Sequence, residues 1–251
     1  MFTNIRAILG TALASYFEER GKKELRVNAG LWNDLHTYLK KTESSGCSYS
    51  DFATLYKHVR AHRPQNVLEL GTGVSTLIIA HALKANGGGL VTSMEEGEKW
   101  YEMAKKLLPA HLEKYVDLHY SPAIEKTYDF FRGAGYKDIP NRPYEFVFVD
   151  GPAYLSNPSA SPLGFNYDLI EVLKRSELPV AALIDSRHST CYVYHQLLGD
   201  KVRLDYLRKL GVVLPSTKKD LLSGRQIVLR TMGRHMLKRP SILSIIRGLY
   251  W

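Results

Sequence analysis

The stretch Val67-Leu68-Glu69-Leu70-Gly71-Thr72-Gly73-Val74-Ser75-Thr76 decides how this 251-residue chain is read. An apolar run leads into Glu69, two glycines follow one residue apart, and a helix-like run from Val74 to Leu83 begins at once. A buried strand that turns sharply over glycines into a helix makes a ledge where backbone can approach a ligand closely. A carboxylate at the strand's end can meet a cationic or hydroxyl-bearing cofactor there. The dinucleotide fingerprint G-x-G-x-x-G is not matched, because Thr76 stands where the third glycine belongs. A P-loop is excluded, since no Gly-Lys-Ser/Thr closes the turn.

Four more apolar runs follow. Gly89 to Met94 ends at Glu95-Glu96 and leads into a helical stretch, Glu98 to Leu108. Glu95 falls roughly twenty residues after the glycine turn, where a doubly wound sheet sets a carboxylate against ribose hydroxyls. Glu96 and Glu98 read as solvated residues at a helix N-terminus, where carboxylates are favoured. Val116 to Tyr120 leads to Ser121-Pro122-Ala123, Tyr144 to Val149 closes at Asp150-Gly151-Pro152, and Val180 to Ile184 closes at Asp185-Ser186-Arg187-His188. Such continuous runs mark strands buried on both faces. Residues just past their ends face the crevice in which open α/β sheets bind ligands. A helix from His188 to Leu198 follows. Strands at Val202–Leu207 and Gln226–Arg230 come next, with a polar connection, Pro215–Gly224, between them. The alternation predicts an α/β, doubly wound parallel sheet.

Glu69 and the glycine turn together resemble motif I of the class I S-adenosylmethionine-dependent methyltransferases, E/D-x-G-x-G-x-G, with Ser75 in the last place. Ser93-Met-Glu-Glu-Gly-Glu-Lys-Trp-Tyr101 is similar to the S-x-E-x-x-x-x-W-Y stretch of an O-methyltransferase-like subgroup. The resemblance spans roughly Gln65 to Arg230. It implies a Rossmann-like seven-stranded sheet, mostly parallel, with the last strand antiparallel, and S-adenosylmethionine as cofactor. It implies cofactor contacts at Glu69, Gly71, Thr72, Gly73, Ser75 and Asp150, with Glu95 on the ribose and Ser121 and the Ala123 amide beside the adenine. Metal-dependent relatives of catechol O-methyltransferase hold Mg²⁺ on two strand-end carboxylates and an Asn. Asp150 and Asp185 match that pattern, but Ser186 stands where the Asn would be, so a divalent metal is carried as an option and not favoured. The expected reaction is methyl transfer to a hydroxyl oxygen. His188 is the first candidate base, because imidazole titrates near neutrality, and Asp150 is the second by position.

Three segments are expected: a helical extension or lid over 1–62, a cofactor-binding domain over 63–232, and a basic, apolar tail over 233–251. Phe2–Phe17 reads as an amphipathic helix, with one positive charge and too diluted an apolar stretch for a signal peptide. Leu31, Leu35 and Leu39, then Phe52, Leu55 and Val59, recur at helical spacing, with Ser50 as cap of the second helix. A composition of 45% hydrophobic and 24% charged residues suits a folded domain and argues against disorder. Cys47 and Cys191 lie far apart without metal-type spacing, which suits reduced thiols and a cytoplasmic location. No apolar span approaches the roughly 20 residues of a membrane helix.

The net charge of +9 raises nucleic acid, acidic glycans or a membrane surface as partners. Strand four ends Asp-Gly-Pro, unlike the N/D-P-P-aromatic turn of amino-methylating enzymes, and no aromatic-interleaved basic module is present, so nucleic acid is not expected. A small molecule or a sugar or glycan is the expected acceptor, selected by the N-terminal helices and the loop Ala153–Asn166. The tail allows peripheral membrane contact or packing in a homo-oligomer. An RNA methyltransferase and a catalytically silent scaffold of the same fold are the alternatives.

Overall fold

The computed structural model describes residues 2–43, 48–129, 131–154, 163–205 and 210–222. Its first layer is helical: α1 (Phe2–Arg26), α2 (Ala29–Leu39) and α3 (Tyr49–His62). Then β1 (Asn66–Leu70), α4 (Val74–Asn86), β2 (Leu90–Glu95), α5 (Glu98–Leu107), a 3₁₀ turn (Ala110–Tyr115) and β3 (Val116–Tyr120) follow. Next come β4 (Ala123–Tyr128), β5 (Phe131–Tyr136), β6 (Phe146–Val149), β7 (Phe165–Asn166), α6 (Asp168–Arg175) and β8 (Val180–Asp185). The described chain closes with α7 (His188–Leu198), β9 (Val202–Asp205), β10 (Leu210–Ser216) and α8 (Lys218–Leu222).

Seven strands form one sheet in the order β3-β2-β1-β6-β8-β10-β9, and β10 alone runs against the others. Alternation along the buried strands sends side chains to opposite faces. Leu68, Leu70, Val147 and Val149 pack with α6 and α7, whereas Val67, Phe146 and Phe148 pack with α2, α3 and α4. Chain order reverses on either side of β1, so the crevice between the carboxyl ends of β1 and β6 is the topological switch point. No described helix is long and apolar enough to cross a membrane.

Leu31, Leu35, Phe52, Leu55 and Val59 are buried as their spacing requires. The cap of α3 is Ser48, not Ser50. Ser48 and Asp51 form a reciprocal capping box, which needs an acidic residue three places on, and Ser50 lies inside the first turn with its amide on Glu18 Oε2 at 3.2 Å.

Between β8 and the edge strand β9, the antiparallel strand is Leu210–Ser216. The sequence pointed to Gln226–Arg230 for that place, and those residues lie outside the described ones, as do 155–162 and the tail 233–251. Pro215 and Ser216 end β10, and α8 follows within what read as a polar connection. Gly211 disguises β10. A Cβ there would lie 2.4 Å from Cys191 Sγ and 3.1 Å from Ile184 Cβ, so the strand crosses α7 only as glycine. A second sheet, β4-β5-β7, was not foreseen; it rests on an antiparallel hairpin between β4 and β5.

Candidate active site

Glu69 lies within β1 and is fully buried. Its Oε2 accepts from Thr76 Oγ1 at 2.5 Å and from Ser93 Oγ at 2.6 Å. Burial pushes its carboxyl up to about 7, against the neighbouring hydroxyls of Ser75, Ser93 and Thr76. Thr76 Oγ1 also accepts the Gly73 amide at 3.0 Å. The residue in the place of the third glycine therefore ties the loop to the strand-end carboxylate, a role the sequence reading missed. Gly71 has φ +96, and a Cβ on it would come within 3.0 Å of the Asp150 and Gly151 backbone. Only glycine fits that approach. A Cβ on Gly73 would meet nothing within 4 Å, so the ledge is open there.

Glu95 ends β2, nearly buried. Its Oε2 accepts the Thr72 amide at 3.3 Å, and its Oε1 accepts the amides of Glu96 (3.1 Å) and Gly97 (2.9 Å). Burial pushes its carboxyl up to about 7 as well. The structure thus gathers Glu69, Gly71, Thr72, Gly73, Ser75, Glu95 and Asp150 around the ends of β1, β2 and β6. Beyond β3, the Ser121 hydroxyl accepts the Asp138 amide at 3.0 Å, and Ala123 opens β4 opposite Tyr136. Glu96 does more than face solvent, because it accepts from Tyr136 Oη at 2.9 Å and from the Ala153 amide at 2.8 Å. Glu98 is exposed at the start of α5, as expected.

Asp150 follows β6, and Asp185 ends β8. Burial and the Asp185 carboxylate push Asp150 up to about 7, against the pull of the Arg187 guanidinium. Arg187, which sequence reading passed over, stands 3.6 Å from Asp150 Oδ1 and also donates to the Asp150 carbonyl. It donates further to Pro152 O and Asn166 Oδ1, both at 3.2 Å, and lies 5.4 Å from the Tyr154 ring. Asn166 returns the tie by donating to Pro152 O at 2.7 Å. Ser186 has φ +46, and its hydroxyl lies on Asp185 Oδ1 at 3.4 Å. His188 opens α7, exposed, and is not joined to Asp150 by any hydrogen bond among the described residues.

From the helical layer, Tyr38 of α2 borders a small cavity with Gly73, Thr76 and Leu77. Burial, with Glu69 and Glu95 nearby, pushes its phenol up. The sequence spacing named Leu39 for this face of α2, but Tyr38 is the buried residue and Leu39 is only partly buried.

Residues 68–161 match the family model described as a methyltransferase domain. Among solved structures, an SAH-bound methyltransferase from Podospora anserina aligns at 12% identity and TM-score 0.50, over 74% of this chain and 87% of that one. An O-methyltransferase from Streptomyces achromogenes, in complex with SAM, aligns at 15% and 0.47, over 75% and 91%. An O-methyltransferase from Bacillus cereus aligns at 20% and 0.44, over 63% of this chain and just under two thirds (66%) of that one. No curated protein matches the chain in sequence. The chain has the class I methyltransferase fold, with the Rossmann-like sheet that the motif implied.

Proposed function

We propose that the protein transfers a methyl group from S-adenosylmethionine to a hydroxyl oxygen of a small molecule or sugar. The observation that carries this reading is the open ledge at Gly73 beside the buried carboxylate of Glu95. Glu95 is fixed by backbone amides of both the glycine loop and the α5 start, so its orientation is set before a ribose arrives. The bound cofactor would supply a sulfonium methyl already activated for displacement. Asp150 and His188 are the proton acceptors we assign for the hydroxyl, and Asp150 is the stronger of the two. It abuts Gly71 on the ledge, and a carboxyl held near 7 can take up a proton at neutral pH. The donors fit a divalent ion poorly, since the Arg187 cation already faces Asp150 and would repel a second charge. Arg187 holds the segment after β6 in place through Asp150, Pro152 and Asn166. The helices over 1–62 act as a lid, with Tyr38 over the glycine loop.

Calorimetry with S-adenosylhomocysteine tests the cofactor site, and absence of binding would leave a silent scaffold of this fold. Once an acceptor is found among hydroxylated metabolites, Asp150→Asn is expected to lower turnover about 10²- to 10⁴-fold, the range of a general base. His188→Ala lowering it as far, with Asp150→Asn near wild type, would reverse the assignment. Added Mg²⁺ is expected to leave turnover unchanged.

A further inference from the structure

Away from the ledge, Asp34 of α2, His81 of α4 and His111 of the 3₁₀ turn converge on one point. His81 Nε2 lies 2.9 Å from Asp34 Oδ2, and His111 Nε2 lies 3.1 Å from the same oxygen. All three candidate ligand atoms fall within 4.8 Å of one another. The two imidazole rings meet edge to face, 5.8 Å apart at 69°, with both Nε2 atoms on the same carboxylate oxygen. His81 is 5% exposed and His111 45%, which makes a site walled on the protein side and open to water on the other.

We propose that Asp34, His81 and His111 bind one divalent transition ion of the zinc class, with water completing the coordination. Imidazole nitrogens with a carboxylate oxygen suit zinc, whereas magnesium and calcium want oxygen alone. Bonds of about 2.0–2.2 Å in tetrahedral array hold ligand atoms roughly 3.3 Å apart, and the two N···O separations are within a few tenths of that. No local periodicity accounts for the set, since the three residues come from three separate elements. The ion would pin α2 to α4 and to the turn before β3. Asp34 stands one helical turn from Tyr38, so the same ion would steady the residue that borders the glycine loop. The assignment does not depend on methyl transfer.

The test uses the full chain, stripped with a chelator and titrated with Zn²⁺ alone in a calorimeter. Wild type is expected to take up one equivalent, and Zn²⁺ is expected to raise its melting temperature. His111→Gln, at the exposed ligand, should melt like metal-free wild type without zinc yet bind at least tenfold more weakly, and Asp34→Asn should lose the equivalent. The proposal is overturned if wild type takes up no equivalent. It is equally overturned if both variants keep wild-type stoichiometry and affinity, because the ion then sits elsewhere among the nine histidines.

Discussion

The carboxyl ends of β1 and β2 and those of β6 and β8 each present two acidic groups to one crevice, held by different chemistry. Glu69 and Glu95 are fixed by neutral donors, the hydroxyls of Thr76 and Ser93 and the amides of Thr72, Glu96 and Gly97. Asp150 faces a guanidinium. The first pair is therefore held without a counter-charge, while Asp150 has its charge partly offset and its loop stapled by Arg187. Under the proposed function this separates a half that receives a sulfonium cofactor from a half that handles an acceptor's proton.

The severest way to break the contrast is Gly71→Val. Left-handed strain costs on the order of 1–3 kcal/mol, and the side chain would overlap the Asp150 backbone as well. Both the melting temperature and S-adenosylhomocysteine binding should fall, and retained binding would show that the ledge is not the cofactor site. Glu69→Gln probes the neutral-donor half through pH. The Glu69 carboxyl sits near 7 when folded against 4.5 ordinarily, so the unfolded chain sheds its proton first as pH rises. Its contribution to stability is fully present below about 4.5 and is lost by about 7. At pH 8 the glutamine variant should therefore be more stable by up to roughly 3 kcal/mol, with a flatter stability curve from pH 4.5 to 7. Denaturant melts across that range would show it, and an unchanged curve would mean Glu69 is not strained by burial.

Glu95→Gln sharpens the same half. Losing a charge-assisted hydrogen bond to the ribose should weaken S-adenosylhomocysteine about 10- to 100-fold. On the other side, Arg187→Met removes the pull that lowers Asp150. Asp150 should then take its proton at higher pH, shifting the acid limb of the rate profile upward and cutting turnover at pH 7 about tenfold. A profile that stays in place would detach Asp150 from the chemistry.

The parallel sheet was legible because β1, β2, β6 and β8 each carry an apolar run that closes on or beside an acidic residue. The β4–β5 hairpin was not, since Ala-Ile-Glu-Lys-Thr-Tyr is half exposed and Phe-Arg-Gly-Ala-Gly-Tyr carries two glycines. Gly211 and Pro215 broke the apolar signal of β10. At the site, the glycines and strand-end carboxylates were found from spacing. Arg187, Thr76 and Tyr38 were not, because their roles depend on partners 7 to 57 positions away that only the fold brings near.

The ring of His58 on α3 lies 4.6 Å from that of Phe146 on β6, and α4 is wedged between the N-terminal helices and the sheet. A chain begun at Arg63 would leave the outer side of α4 wet. The leading helices are accordingly a poor module for recombination: moved to another sheet of this kind, they would have to bring α4, and with it the glycine loop, along.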